Sequence, residues 1–263
     1  DSSTSRGLGD VYKRQAYVRT DSYFDNSPLA SSGLPSKNEL ELLNVWKDEI
    51  PAEVFTETFT PPITDGSGND RKNLLKAKEI LEKEGWFVEN GKLVKDGKEF
   101  KFEFLIVSPS DEKIALAYQS NLKKLGITMD VRTVDSSQYQ ERLLSYDFDM
   151  IKRYWGVSLS PGNEQQFYWG SEVGQKDGSR NYPGINSPAV DALIEKLISA
   201  TNREELTTAI HALDRVLLWG HYVVPLYHSN KDRIAYWDFF EYPDEIPLYG
   251  IVIESWWINK DKQ

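Results

Sequence analysis

One strand–helix–strand pattern constrains this chain more than any other feature. Phe100, Phe102, Phe104 and Ile106 alternate with Lys101 and Glu103, the period of a strand with one buried face. Ser110 then reads as a helix cap, with Asp111 and Glu112 in the first turn. Ile114, Tyr118, Leu122 and Leu125 form that helix's apolar stripe, and Gly126 ends it. Ile127, Met129 and Val131 alternate again as a second strand. A crossover helix of about 15 residues between two strands makes them parallel neighbours. The chain is therefore expected to be α/β.

The flanks add elements around this unit. Residues 16–62 are irregular, with Pro28, Gly33, Pro35, Pro51, Pro61 and Pro62, and hold one short helix within Ser36–Asp48. Arg71–Glu84 reads as a helix capped by Asn69 or Asp70, with Leu74, Leu75, Ala77, Ile80 and Leu81 inward and Gly85 as the stop. Asn90-Gly91 and Asp96-Gly97 signal tight turns. A helix is expected at Ser136–Ser145 and a strand near Phe148–Trp155. Residues 156–187 show no period. Ser187 then caps a helix with Pro188 in its first position and a stripe of Val190, Leu193, Ile194, Leu197 and Ile198. Thr201 or Asn202 opens another, with Leu206, Ile210, Leu213 and Leu217 inward. Short strands are expected around Val223–Tyr227, Ile234–Trp237 and Ile251–Trp257.

Composition removes several chemistries. The 263 residues include no Cys, which excludes disulfides, thiol nucleophiles and Cys-based metal sites. A net charge of -10 argues against a nucleic-acid partner, which would need a basic face. No window approaches the roughly 18 apolar residues of a membrane span. No nucleophile elbow, Walker loop or dinucleotide fingerprint occurs, and Gly156–Ser160 lacks the final Gly of an elbow. His211, His221 and His228 do not have metal-ligand spacing, and no cofactor is implied. Asp65, Ser67 and Asn69 alternate like calcium ligands without the Gly or Glu that such a loop needs. Asp147 and Asp149 would face one way on a strand, which allows a carbohydrate-active enzyme as a minor alternative.

What remains is the aperiodic stretch, which carries a concentration of the chain's eight Trp, 14 Tyr and 11 Phe. Trp155, Phe167, Tyr168, Trp169 and Tyr182 suit the walls of a cleft. Ser158, Ser160, Asn163, Glu164, Gln165, Ser171, Ser179, Arg180 and Asn181 suit its hydrogen bonds. The same aromatics would equally serve to pin a long loop to the core. The residue types leave both readings open.

Longer segments carry a resemblance. They are YFDNSPLASSGLPS (23–36), PPITDGSGNDRKNLLKAKEILEKEGW (61–86), YDFDM (146–150), WGVSLSPGNEQQFYWGS (155–171), GSRNYPGINSPAVDALI (178–194) and ALDRVLLW (212–219). Together they resemble the family 5 extracellular solute-binding proteins, the peptide-binding receptors of ABC importers, and within them the oligopeptide and microcin C-type subgroup. The resemblance implies a periplasmic-binding-protein-like class II lobe, a mixed sheet with flanking helices, within an incomplete two-lobed architecture. It implies that residues 16–60 end the first lobe's earlier pass, 61–224 form the second lobe and 225–263 return to the first. A monomeric, non-enzymatic receptor is implied, periplasmic or lipid-anchored on the outer face of the membrane. Its partners would be a peptide ligand and a membrane-embedded permease and ATPase, with oligosaccharide binding on the same fold as the alternative. Trp155, Asn163, Trp169, Ser171, Asn181 and Tyr182 match the subgroup's site pattern. Ser158 stands where many members place an Asp for the ligand's ammonium group, so Glu164 is a candidate substitute. Asp1–Gln15 (DSSTSRGLGDVYKRQ) resembles a translated sequencing-adapter remnant and is expected to be non-native and disordered, the protein proper beginning upstream of Ala16.

Overall fold

The structure is a computed structural model that describes residues 17–64, 70–174, 176–231, 233–245, 247 and 250–262. Asp1–Gln15 and the Asp65, Ser67, Asn69 triplet lie outside the described residues. The chain divides into two compact units, Asp21–Val224 and the residues on either side of it. A two-residue strand, β1 (Val18–Arg19), precedes the larger unit and belongs to the smaller one.

In the larger unit, Ser36 caps α1 (Lys37–Leu43) through a bond from the Glu39 amide, as its side-chain chemistry favours. A single-turn α2 (Glu53–Thr56) follows. Asp70 caps α3 (Arg71–Lys83) by accepting from the Asn73 amide at 3.2 Å. The inward stripe of α3 is narrower than expected, because Leu75 and Ile80 stay half exposed and only Leu74, Ala77 and Leu81 turn inward. The helix covers only the edge of a small core, to which Leu81 and Trp86 contribute. Strands β2 (Phe87–Glu89), β3 (Lys92–Lys95) and β4 (Lys98–Glu99) form an antiparallel meander. Asn90-Gly91 and Asp96-Gly97 both take positive φ, which is the backbone a two-residue hairpin turn requires.

The expected parallel unit forms. Strand β5 (Lys101–Ile106) leads through α4 (Pro109–Lys123) into β6 (Thr128–Thr133), paired from Lys101↔Thr128 to Ile106↔Thr133. The cap of α4 is Ser108 and not Ser110, because Pro109 presets the first helical φ and the Ser108 hydroxyl takes the Ser110 amide. Asp135 caps α5 (Ser136–Leu144), which leads to β7 (Met150–Ile151) on the other side of β5. Alternation sorts β5 between two cores. Phe104 and Ile106 pack with Ala115 of α4, while Leu105 packs with Tyr139 and Leu143 of α5. The expected strand Phe148–Trp155 contracts to two residues. At one end the Asp149 carboxylate replaces a ladder bond by accepting the Glu103 amide at 2.8 Å. At the other the Tyr139 hydroxyl takes the Lys152 carbonyl at 3.1 Å. In this unit the antiparallel strands β2–β4 and the parallel strands β5–β7 form two three-stranded groups, joined by backbone bonds from Leu93 to Gly126 and from Phe100 to Leu93.

Beyond β7 lies an element the periodicity missed, α6 (Glu164–Trp169), too short for its pattern to repeat. Ser187 caps α7 (Pro188–Ile198) and Asn202 caps α8 (Arg203–Trp219), as their sequences indicate. Their stripes meet in the main core with Phe24, Leu29, Leu43 and Val54.

Two adjacent charged residues of α8, both buried, bind the irregular segment before α1. Asp214 accepts the Ser22 hydroxyl at 2.8 Å, the Tyr23 amide at 2.8 Å, and the Ser31 amide and hydroxyl at 2.9 and 2.7 Å. Burial pushes its carboxyl up, and these donors pull against that. Arg215 donates to Glu39 at 2.6 Å and to the carbonyls of Gly33, Ser32 and Leu34 at 2.7, 2.9 and 3.3 Å. Burial would raise the Glu39 carboxyl, but hydrogen bonds from His211 and Arg215 and the Arg215 charge outweigh it and bring it down to about 2.

That depression fixes an acid sensitivity. A carboxyl lowered on folding from 4.5 to about 2 stabilises the fold above 4.5, and the contribution is lost as pH falls toward 2. At about 1.4 kcal/mol per unit the upper bound is about 3 kcal/mol. Asp214, shifted up, works in the opposite sense. Urea midpoints from pH 5 to 3 are expected to fall more steeply for the wild type than for Glu39→Gln. Parallel slopes would remove Glu39 as the origin.

In the smaller unit β1 pairs with β8 (Tyr227–His228), and β9 (Phe240–Glu241) pairs with β10 (Trp257–Ile258), all antiparallel. Ile234–Trp237 is not a strand. Its Tyr236 packs instead against the rings of Tyr242 and Trp256. Ile251–Trp257 is broken by a helical turn over Ile253–Ser255, closed by the Ser255 hydroxyl on the Val252 carbonyl at 2.7 Å. Among the described residues of this unit none is fully buried.

Candidate functional site

The parallel sheet has the order β6-β5-β7. The chain leaves β5 toward one side and later returns on the other, and open α/β sheets bind ligands beyond the carboxyl ends of the strands at such a switch, here beyond β5 and β7. Lys152, Arg153, Tyr154 and Trp155 follow β7 directly into that region. The Lys152 ammonium pairs with Asp111 in the first turn of α4. Burial opposes its charge, but the Asp111 carboxylate more than offsets this and holds Lys152 above its ordinary range.

Trp155 and Trp169 come together, with ring centroids 5.0 Å apart. Trp169 is buried because α6 turns it into the main core, where Tyr23 meets it edge-on at 5.0 Å. Its indole N–H donates to Gln165 one turn earlier at 2.9 Å. The Trp155 indole nitrogen and the Tyr23 hydroxyl are both shielded from solvent without a hydrogen-bond partner among the described residues. Burial, and then the Asp214 charge, keep the Tyr23 hydroxyl protonated far above its ordinary range. Trp169 therefore belongs to the main core, and half-buried Trp155 packs on it at the core's edge, after β7.

Tyr182 sits in a second aromatic group, 6.0 Å from Tyr146 and 6.3 Å from Phe148, and packs on the α5 side of the sheet. The Tyr146 hydroxyl is hydrogen-bonded to Ser179. Between the two groups Asn181 is fully buried and fully used. Its amide donates to the Gly170 and Ile185 carbonyls at 3.0 and 2.8 Å and accepts the Ile185 amide at 2.9 Å. Ser171 is likewise committed, its amide donating to Asp191 at 2.8 Å and its hydroxyl accepting the Ser187 amide at 3.0 Å. These two residues shape the loop. Glu164 folds back on the Gly162 amide at 3.0 Å, ahead of α6. Ser158 and Asn163 are exposed, Ser158 accepting the Ser160 amide at 3.1 Å. Arg203 anchors the loop by donating to the Leu159 carbonyl at 2.5 Å.

Asp147 and Asp149 have structural partners. Asp147 pairs with Arg142 at 2.8 Å, and Asp149 closes the strand ladder on Glu103. Sequence reasoning passed over Arg153, whose signal was a cation two residues before Trp155. It also passed over the Asp214-Arg215 pair, visible as two charges inside an apolar helical stripe.

The parallel sheet, its flanking helices and the aromatic residues after β7 form an α/β unit with the strand-end arrangement at which open sheets bind ligands. Residues 43–177 match the model of the bacterial extracellular solute-binding proteins, family 5, middle region, and the chain belongs to that family. It is 49% identical over 92% of its length to the uncharacterised protein y4wM of Sinorhizobium fredii, covering 37% of that protein. It is 42% identical over 93% of its length to the probable peptide-binding protein YejA of Agrobacterium fabrum, covering 40% of it. The oligopeptide-binding protein AppA of Bacillus subtilis, solved with a nonapeptide, matches 85% of this chain and 45% of its own at a TM-score of 0.57 and 24% identity. The chain thus spans about two fifths of the length of these curated relatives.

Proposed function

We propose that this chain is the C-terminal part of a two-lobed receptor that binds peptides and delivers them to an ABC importer. The observation that carries it is the aromatic and polar segment beyond the carboxyl end of β7, with half-buried Trp155 and Tyr182, in a family 5 chain. The peptide-binding relative in Agrobacterium favours peptide as the ligand. On this reading the ligand lies across Trp155 and Tyr182, with Ser158, Asn163 and Glu164 lining the loop and Trp169, Ser171 and Asn181 holding its shape. Residues 61–224 supply the second lobe and 225–263 return to the first; the unit boundary at Val224 supports the second break, whereas residues 21–60 share the larger unit's core with 61–224. The protein acts as a monomer without chemistry, outside the inner membrane, and docks on the permease and ATPase. An extended backbone would be met by polar groups and its side chains by aromatic pockets.

Calorimetry on the full-length receptor with peptide and oligosaccharide panels tests this. Micromolar or tighter peptide binding is expected, and binding of oligosaccharides alone would overturn it.

A further inference from the structure

Three side chains on one face of α8, His211, Asp214 and Arg215, hold successive stretches of the segment before α1. Arg215 takes the Ser32, Gly33 and Leu34 carbonyls, Asp214 takes the Ser31 amide and hydroxyl, and His211 reaches Pro28. The half-buried His211 ring lies between two acceptors. Its Nδ1 is 3.7 Å from one Glu39 carboxylate oxygen, and its Nε2 is 3.4 Å from the Pro28 carbonyl oxygen. Glu39 is itself buried, and its other oxygen holds Arg215 at 2.6 Å.

A neutral imidazole carries one N–H, so it can serve only one of two acceptors. The imidazolium donates from both nitrogens and places a positive charge beside a buried carboxylate. The geometry therefore fits the protonated ring. We propose that His211 is a proton-operated latch on the segment before α1: protonated, it ties Pro28 and Glu39 together on α8, and neutral, it gives up one of them. That segment carries Tyr23, whose ring meets Trp169 edge-on, so protonation also firms the packing behind the residues after β7. The latch does not depend on what the protein binds.

The contact with Glu39 raises His211 above its ordinary value of 6.5, while burial pulls it down. The Pro28 carbonyl adds to the rise, and Arg215, one turn further along α8, opposes it. A histidine raised on folding gives stability that is complete below 6.5 and is lost as pH rises through the higher folded-state value. Asp214, raised by burial, works in the same sense as His211, so the difference between wild type and a His211 variant is the measure.

The test uses the full-length receptor with labelled histidine, its His211→Gln variant and its Glu39→Gln variant. The His211 imidazole signal, assigned by its absence from His211→Gln, is expected to titrate above 6.5 in the wild type and lower in Glu39→Gln. A wild-type midpoint at or below 6.5, or one that Glu39→Gln leaves unchanged, overturns the proposal. Hydrogen exchange read by mass spectrometry and corrected for intrinsic rates then follows residues 22–34 at about pH 6 and about pH 8.5. The wild type is expected to lose about two- to fivefold more protection over that interval than His211→Gln, the size of one partly exposed ion pair. Equal losses in the two proteins overturn the proposal. Should His211→Gln fail to fold, the signal that moves in Glu39→Gln assigns His211, and the midpoints alone decide.

Discussion

Arg215→Ala is expected to lower the unfolding free energy by about 3–5 kcal/mol, the cost of leaving one member of a buried ion pair alone. The substitution leaves the Glu39 carboxylate, 5% exposed, with His211 but without its permanent cation, and removes the donors of the Gly33, Ser32 and Leu34 carbonyls. Lysine offers one ammonium for a fork that reaches four oxygens, so Arg215→Lys is expected to recover only part of the loss. Urea denaturation of the wild type and both variants measures this. A loss below about 1 kcal/mol for Arg215→Ala would mean the segment before α1 contributes little to the fold.

Trp169→Ala is expected to cost about 3–5 kcal/mol as well, for a different reason. The ring is 2% exposed and touches Tyr23, Trp155 and Tyr168, so its removal leaves a cavity lined by aromatics that cannot all collapse inward. Gln165 also loses the partner of its side-chain oxygen. Trp169→Phe keeps most of the volume and is expected to recover most of the stability. If Trp155 serves the ligand, Trp169→Phe should also weaken peptide binding, because Trp169 backs Trp155. Unchanged stability in Trp169→Ala, again by urea denaturation, would show that the ring is not part of the core.

The parallel unit was legible because its signals agree. Phe102, Phe104 and Ile106 mark one face of β5, Gly126 takes the positive φ that ends α4's exit, and six residue pairs follow in register. Helices α7 and α8 were equally clear, each with a cap and a stripe. Legibility failed where side chains replaced backbone pairing. The extent of β7 is set by Asp149 and Tyr139, and a hydrogen bond from a distant side chain leaves no period. Helix α6 failed for want of length, since a single Gln165–Trp169 contact spans it. The smaller unit failed because its aromatics pack on each other across turns and not along strands. At the site, residue type separated wall from hydrogen-bonding candidates but could not distinguish a polar side chain turned outward from one consumed inside. Asn181 and Ser158 look alike in sequence, yet one is fully buried and the other exposed.

The clamp on α8 also sets an order in time. Arg215 binds Gly33 across 182 positions of chain, and Asp214 binds Ser22 across 192. At about 5–20 residues per second, the ribosome presents the segment around Ser22–Leu34 roughly 10–40 s before α8 exists to hold it. Local pieces such as β5–α4–β6 can close meanwhile, because their partners lie nearby in the chain. The earliest residues of the larger unit are therefore among the last to be fixed. A nascent chain stopped short of Asp214 keeps Glu39 without its Arg215 cation and Ser22 and Ser31 without their acceptor, so release of α8 is the event that commits the unit to its final form.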